Sequence, residues 1–510
     1  MKPSVLLITA DHMRNDALAC NAAWAPGSGL AHVIQTPNLD RLAREGVTFA
    51  QAFTPNPICV PARASITTGN YSHKCTGIKA NHGRIHDDQP RLGGLFAAHG
   101  YATYAIGKLH YVPYAPPGQP RLLHGFQQAE LHEEGRILRQ YDPQGLLSGL
   151  EDYHDYLKTV GWGGYERAHG VGANEVHPVA SPLPAEYHEE AWVAERAIAA
   201  LEGHRRARPD QPFLLWASFS KPHSPYDPPR PYDNLYDPRQ VPPPMGGWDH
   251  PDLLAGRDTE LVHRRTIYGW DRLSPQAVQV IRAHYAGMVS FQDAMVGRLL
   301  AWLDRAGLRE RTVVVYTCDH GDLLGDWGRF FKTSMFDGAV RIPMIWRVPG
   351  VISQGGSPVR QQMAGLQDIL PTLCSLTGIP LPHAVDGIDL TPVLRDAWAR
   401  GREVFVSQTE EPRWGGQKYM VRTREWKYVY CEAGATEELY RVEQPDGELD
   451  NRALDPHCAS IRQELRDYLV RWCREEGDPQ MLPNGRLAAV PESELPPAEL
   501  SVGRLGWRRY

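Results

Sequence analysis

Little in this chain runs to an extreme, and each missing extreme closes off a class of function. No stretch approaches the roughly 20 consecutive apolar residues that a membrane-crossing helix needs, so no spanning segment and no membrane partner are expected. Lysine and arginine number 54 against 60 acidic residues, a formal charge of -6. Without a basic excess there is no electrostatic footprint for nucleic acid. Cysteine is scarce, at positions 20, 59, 75, 318, 374, 431, 458 and 473 of 510. These eight make neither the close pairs of a zinc site nor a disulfide framework. Most read as small buried apolar residues, with Cys59 as the exception. The first twelve residues, MKPSVLLITADH, lack the longer apolar core and small-residue cleavage site of a secretory signal, so a cytoplasmic location is the expectation. No internal repeat stands out.

What is present is an ordinary globular composition, 42% hydrophobic and 22% charged, on a chain long enough for one large domain and a smaller companion. Residues 4 to 9, SVLLIT, form an apolar run that ends at Asp11, as a buried parallel strand would. TPNLDRLAREG predicts a first helix, with Thr36 as N-cap, Pro37 at the first position and Gly46 as its stop. YATYAIG before Lys108, PFLLWASFS before Lys221 and TVVVYTC before Asp319 are further strands that deliver polar residues at their ends. Ligand sites in open α/β sheets lie at such ends. Helical patterns at 185 to 202 and 274 to 306 alternate with these strands, so a mainly parallel sheet covered on both faces is expected. Beyond about residue 385 the pattern changes. VFVSQ and KYMVRTREWKYVYC alternate like antiparallel strands, with a helix at about 458 to 475 against them. The expected division is therefore residues 1 to 385, an α/β catalytic domain, and 386 to 510, an α+β subdomain with an extended tail lying along the surface or a neighbouring subunit. Pro-rich stretches at 112 to 120 and 222 to 244 read as rigid loops, because aromatic residues interleave the prolines.

The decisive segment is NPICVPARASITTGNY, with Cys59, Pro61 and Arg63 ahead of a helix that Gly69 stops. Its C-x-P-x-R core followed by A-S-x-x-T-G resembles the signature of the type I sulfatases, alkaline-phosphatase-like α/β hydrolases. The resemblance implies that a separate maturation enzyme oxidises Cys59 to formylglycine. The hydrate of that aldehyde carries two hydroxyls on one carbon, one to attack sulfur and one to expel sulfate. Such a nucleophile needs a lowered pKa, which a divalent metal provides.

Asp11 and the pair Asp319 and His320 follow apolar runs expected to be neighbouring strands. The resemblance makes Asp11, Asp319, His320 and the modified Cys59 the metal ligands. Oxygen donors favour hard cations, so one divalent ion is expected, calcium first, with magnesium and manganese as alternatives. Many sulfatases carry two acidic residues at the first strand end and Asp-Asn at the later one. Here the pairs are Asp11-His12 and Asp319-His320, as in choline sulfatases and phosphonate monoester hydrolases, and an imidazole ligand pushes toward manganese. His12 stays open between a ligand, an outer group and a strand-end residue.

AIGKLH resembles the family's G-K-x-H motif. Lys108 and His110 lie two apart and share a side if the chain is extended. The resemblance gives Lys108 the formylglycine and sulfate oxygens, and His110 the proton that starts sulfate elimination. SKPHSPYDPP carries the leaving-group acid to His223, with Lys221 as a weaker sulfate contact. DHGDLLGDWGRFFKTSMFDGAVRIPMI resembles the family's next most extended block, which implies Lys332 as the second sulfate-binding cation, so that Arg63, Lys108 and Lys332 together would offset the substrate's charge. Asp322, Asp326 and Arg341 read as loop and packing residues. Residues 130 to 185 and 226 to 272 carry no recognisable motif; their aromatics, among them Tyr153, Tyr165, Tyr226 and Trp270, either wall the substrate pocket or pack as loops. The substrate is expected to be a small-molecule or carbohydrate sulfate ester. A phosphonate monoester or phosphodiester hydrolase is the nearest alternative and a silent binding protein the more distant one.

Overall fold

The computed structural model describes residues 2–110, 117–121, 123–144, 146–248, 264–351, 358–411, 416–444 and 446–492. Parts of the Pro-rich stretch at 112 to 120, of the aromatic-rich stretch at 226 to 272 and of the tail lie outside the described residues.

Eight strands form the main sheet: β1 Ser4–Ala10, β2 Val47–Phe53, β3 Ala102–Gly107, β4 Gln128–Leu131, β5 Phe213–Ser218, β6 Thr312–Cys318, β7 Met344–Arg347 and β8 Val359–Gly365. Their spatial order is β4-β3-β5-β1-β6-β7-β2-β8. Every pairing is parallel except those of β7, which runs antiparallel to β6 and β2. β1, β3, β5 and β6 are buried along their whole length, as the continuous apolar runs require of strands covered on both faces. β1 lies between β5 and β6, with Ala10 opposite Cys318. The residues following these two, Asp11 and Asp319, thus emerge side by side.

Helices Pro37–Glu45, Glu189–Ala207 and Pro275–Arg305 agree closely with the sequence periodicity. One capping detail differs. Thr36 makes no side-chain cap, and its hydroxyl instead meets Asp40 at 3.1 Å. The free N–H groups of Asn38 and Leu39 are taken by Asp293 of the long helix at 3.2 and 2.7 Å. A tertiary carboxylate has replaced the local cap.

The second sheet, β9 Phe405–Glu411, β10 Gly416–Arg422, β11 Trp426–Cys431 and β12 Thr436–Arg441, is antiparallel in the order β12-β11-β10-β9. Helix Ala459–Glu475 packs on it through Leu465, Leu469 and Trp472. All eight cysteines are free, and all but Cys20 are buried. Among the described residues no helix is long and apolar enough to cross a membrane.

Candidate active site

Four strand ends and one helix start converge. Asp11 and His12 follow β1, Lys108 and His110 follow β3, Lys221 and His223 follow β5, and Asp319 and His320 follow β6. Cys59 opens the helix Cys59–Thr68, which Gly69 ends in the left-handed conformation at φ 76°. The strand ends are tied to one another by backbone bonds from Lys108 N–H to Ser218 O at 3.0 Å and from Asp11 N–H to Lys221 O at 3.3 Å.

Arg63, one helical turn beyond Cys59, is wholly buried. It donates from Nε to Asp319 Oδ2 at 2.9 Å and from Nη1 to Lys108 O at 2.6 Å and Ser218 Oγ at 2.8 Å, while Nη2 reaches Asp11 Oδ2 at 3.4 Å. Its guanidinium therefore orients the two aspartates. Burial opposes ionisation of Asp11, but Lys108, His223 and Arg63 hold its carboxyl well below the usual range. Lys108 Nζ lies 2.5 Å from Asp11 Oδ2 and 2.9 Å from Glu134 Oε2.

Cys59 Sγ stands 3.1 Å from His320 Nε2, 2.9 Å from Lys332 Nζ and 3.8 Å from Asp11 Oδ1. Burial and Asp11 push its thiol up, yet Lys332, His320 and Lys108 outweigh them and bring it down to about 5. Donor atoms of Asp11, His12, Cys59 and His320 all lie within 4.8 Å of one another. His320 Nδ1 is bound to Gly321 O at 2.9 Å and His12 Nδ1 to Asp322 Oδ2 at 2.7 Å. Both rings thus turn an Nε2 lone pair inward, the arrangement in which outer partners fix the tautomer of metal-binding imidazoles. Asp319 Oδ1 is 3.8 Å from His320 Nε2. This set of buried carboxylate oxygens and imidazole nitrogens fits a divalent cation.

His12 Nε2 accepts from Lys332 Nζ at 2.6 Å, and His223 Nε2 faces the same ammonium at 3.4 Å. Asp322 is consequently more than a loop and packing residue. It is buried, fixes His12 and also accepts from Tyr226 Oη at 3.0 Å. A neighbour 310 residues away in sequence, His12, gives it that role. Asp326 and Arg341 do serve packing, Asp326 by pairing with Arg14 at 2.8 Å and Arg341 by donating to Ala50 O.

The extended geometry that would put Lys108 and His110 on one side is absent, because β3 ends at Gly107 with φ 98° and His110 itself has φ 58°. His110 is buried, and among the described residues neither ring nitrogen has a hydrogen-bond partner. Burial, then Arg136 and Lys108, hold it neutral, well below the ordinary histidine value. Burial, then His12, Lys332 and Lys108, do the same to His223, whose Nδ1 is bound to Ser224 O at 2.7 Å. Lys221 turns away to Asp227 at 2.5 Å and Glu189 at 3.3 Å. Left-handed φ values at His12 (66°), His110 (58°), Glu134 (54°), Phe331 (70°) and Thr333 (64°) cluster around the site, where backbone strain is characteristically held.

Sequence reasoning passed over Glu133 and Glu134, which lie in the stretch without motifs. Glu133 Oε1 accepts from the N–H groups of Leu109 and His110 at 2.9 and 2.8 Å. Glu134 bridges Lys108 and, at 3.5 Å, His223 Nδ1. Of the aromatics, Tyr153 is core and bonds Tyr187 O, Tyr165 is 52% exposed, and Trp270 packs on Phe330 and Phe331.

This frame, with strand ends delivering carboxylates and imidazoles to a cysteine at a helix start, is that of the alkaline phosphatase superfamily of hydrolases. A phosphonate monoester hydrolase from Silicibacter pomeroyi shares the fold with a TM-score of 0.76 at 24% identity, covering 93% of this chain and 96% of that one. Residues 3–379 match the sulfatase family, and residues 325–475 match the family described as N-sulphoglucosamine sulphohydrolase, C-terminal. An arylsulfatase of Clostridium perfringens is 30% identical over 489 residues, 94% of this chain and 96% of the relative. A choline-sulfatase of Rhizobium meliloti is 27% identical over 459 residues, 89% and 83% of the two chains. The chain belongs to the sulfatase family and is an enzyme that hydrolyses sulfate esters.

Proposed function

We propose that this enzyme cleaves a sulfate monoester of a small molecule or carbohydrate with a formylglycine made from Cys59 by a maturation enzyme. The observation that carries the reading is the position of Cys59 Sγ, in contact with His320 Nε2 and Lys332 Nζ at the mouth of the Asp11 and Asp319 carboxylates. In the converted enzyme the hydrate oxygens occupy the place that the sulfur marks here. Asp11, Asp319, His320 and residue 59 would hold one divalent metal, calcium first and magnesium or manganese next, which lowers the pKa of a bound hydroxyl.

The remaining work falls to side chains. Lys332 and Lys108 supply the two cations that hold the sulfate oxygens. Arg63 acts through Asp11 and Asp319 and is a positioning residue, as is His12 through Lys332. His223 donates a proton to the departing oxygen. Burial first, and then the positive charges around it, keep it neutral in the free enzyme, and the negative charge of a bound sulfate opposes those charges and draws it toward the protonated form. His110, neutral and unpartnered, accepts the proton whose removal starts sulfate elimination. Lys221, engaged by Asp227 and Glu189, supports the His223 loop from behind.

Mass spectrometry of the peptide around residue 59, set beside turnover of an aryl sulfate, tests the reading. Activity should scale with the fraction of aldehyde. Equal activity from Cys59→Ala and fully converted protein would sink it. The second reading, a phosphonate monoester or phosphodiester hydrolase, draws on the fold shared with the Silicibacter pomeroyi phosphonate monoester hydrolase. Preference for an aryl phosphonate ester over the matching aryl sulfate would select it.

A further inference from the structure

A second group of buried ligands lies outside the site just described. His132 follows β4, Glu151 precedes the helix Asp152–Thr159, and His154 sits in its first turn. One donor atom from each of the three falls within 4.8 Å of the others. We propose that His132 Nδ1, Glu151 Oε2 and His154 Nε2 form a second metal site, for a divalent transition cation of the zinc class.

Both inward nitrogens face the same oxygen. His132 Nδ1 is 3.9 Å and His154 Nε2 3.6 Å from Glu151 Oε2. These gaps are too long for hydrogen bonds, and both buried nitrogens lack a hydrogen-bond partner. Ligands of a tetrahedral zinc stand about 3.3–3.5 Å apart. Both nitrogen–oxygen gaps would close by about half an ångström or less to complete a His-His-Glu set with one position left open.

The outer nitrogens make the stronger case. His132 Nε2 is held by Glu189 Oε2 at 2.5 Å and His154 Nδ1 by Glu166 Oε1 at 2.9 Å. Each ring is thus a carboxylate-histidine pair whose remaining lone pair points inward, the outer arrangement that metal-binding imidazoles have. Glu151 is itself oriented by backbone N–H groups of Glu133, Gly135 and Ile137 at 2.9, 3.1 and 3.0 Å. His132 and Glu151 have side chains only 2% and 0% exposed, and His154 12%. Three carboxylates, Glu151, Glu166 and Glu189, face the two imidazoles.

A metal here would clamp the segment after β4 to the helix Asp152–Thr159. That segment carries Glu133, which holds the N–H groups of Leu109 and His110, and Glu134, which holds Lys108 and His223. The site would then serve as a structural strut for the catalytic groups.

Full-length protein stripped with chelator is titrated with Co²⁺, whose tetrahedral complexes absorb strongly in the visible. Wild-type protein should bind one equivalent that Asp11→Asn retains and His154→Gln loses. Glu166→Gln, which touches no metal and guards against misfolding of the first variant, should bind that equivalent about 10–100-fold more weakly. If wild type and both variants take up cobalt with the same stoichiometry and affinity, or if wild type shows no tetrahedral band, the proposal fails. Aryl sulfate turnover, followed separately, reads whether loss of this metal is felt at Lys108, His110 and His223.

Discussion

Asp322 and His12, 310 residues apart in sequence, meet at 2.7 Å between Oδ2 and Nδ1. The bond leaves Nε2 as an acceptor for the Lys332 ammonium, so a loop carboxylate helps decide where that ammonium stands. Asp322→Asn keeps the shape but lets the amide donate to Nδ1, which favours the opposite tautomer. We expect kcat/KM to fall about 10–100-fold, the usual cost of an outer partner, with the melting temperature little changed. A thermal melt beside steady-state kinetics checks this; unchanged kinetics would show that Lys332 is placed by other contacts.

Chelation should abolish turnover, because the buried carboxylates of Asp11 and Asp319 and the His320 imidazole make a donor set suited to one divalent cation. Calcium, magnesium and manganese added back one at a time rank the ions. Turnover persisting in protein shown metal-free by elemental analysis would contradict the ligand assignment.

The two histidines should fail in different ways. His223→Ala is expected to lose about 10²–10⁴-fold on alkyl or sugar sulfates, whose leaving oxygens need a proton, and far less on an activated aryl sulfate. His110→Ala should release a first equivalent of alcohol and then stall with sulfate attached to residue 59, giving a burst. Intact-mass analysis after mixing decides. Equal losses on every leaving group, with no sulfated protein, would refute the division of roles.

Away from the site, Asp368 is fully buried and takes both terminal nitrogens of Arg402 at 2.7 Å, besides the N–H groups of Gly365 at 2.7 Å and Ile388 at 2.9 Å. Asp368→Ala leaves Arg402, whose side chain is 12% exposed, without its partner. The expected loss is about 3–5 kcal/mol, read by denaturant unfolding. A loss below about 1 kcal/mol, the level of an exposed pair, would mean that water reaches the gap.

The local chemistry was legible from residues near one another in the chain. Apolar runs placed β1, β3, β5 and β6, since a strand buried on both faces must be apolar throughout, and the polar residue after each run marked the site edge. C-x-P-x-R singled out Cys59 and Arg63, because one helix start carries both. Where partners come from distant segments, the one-dimensional pattern was silent. Thr36 stands where a cap belongs, but Asp293 does the capping; Asp322 reads as a loop acid until folding brings it to His12. Lys108 and His110 read as an alternating pair on a continuing strand, but β3 stops at Gly107, before either of them. Glu133, Glu134, Glu151 and His154 form no motif and acquire meaning only once β3 and β4 lie side by side. Periodicity and short motifs record which face of an element is buried and what its end carries. Which carboxylate meets which imidazole is set by the packing of the sheet, and only the tertiary structure decides that.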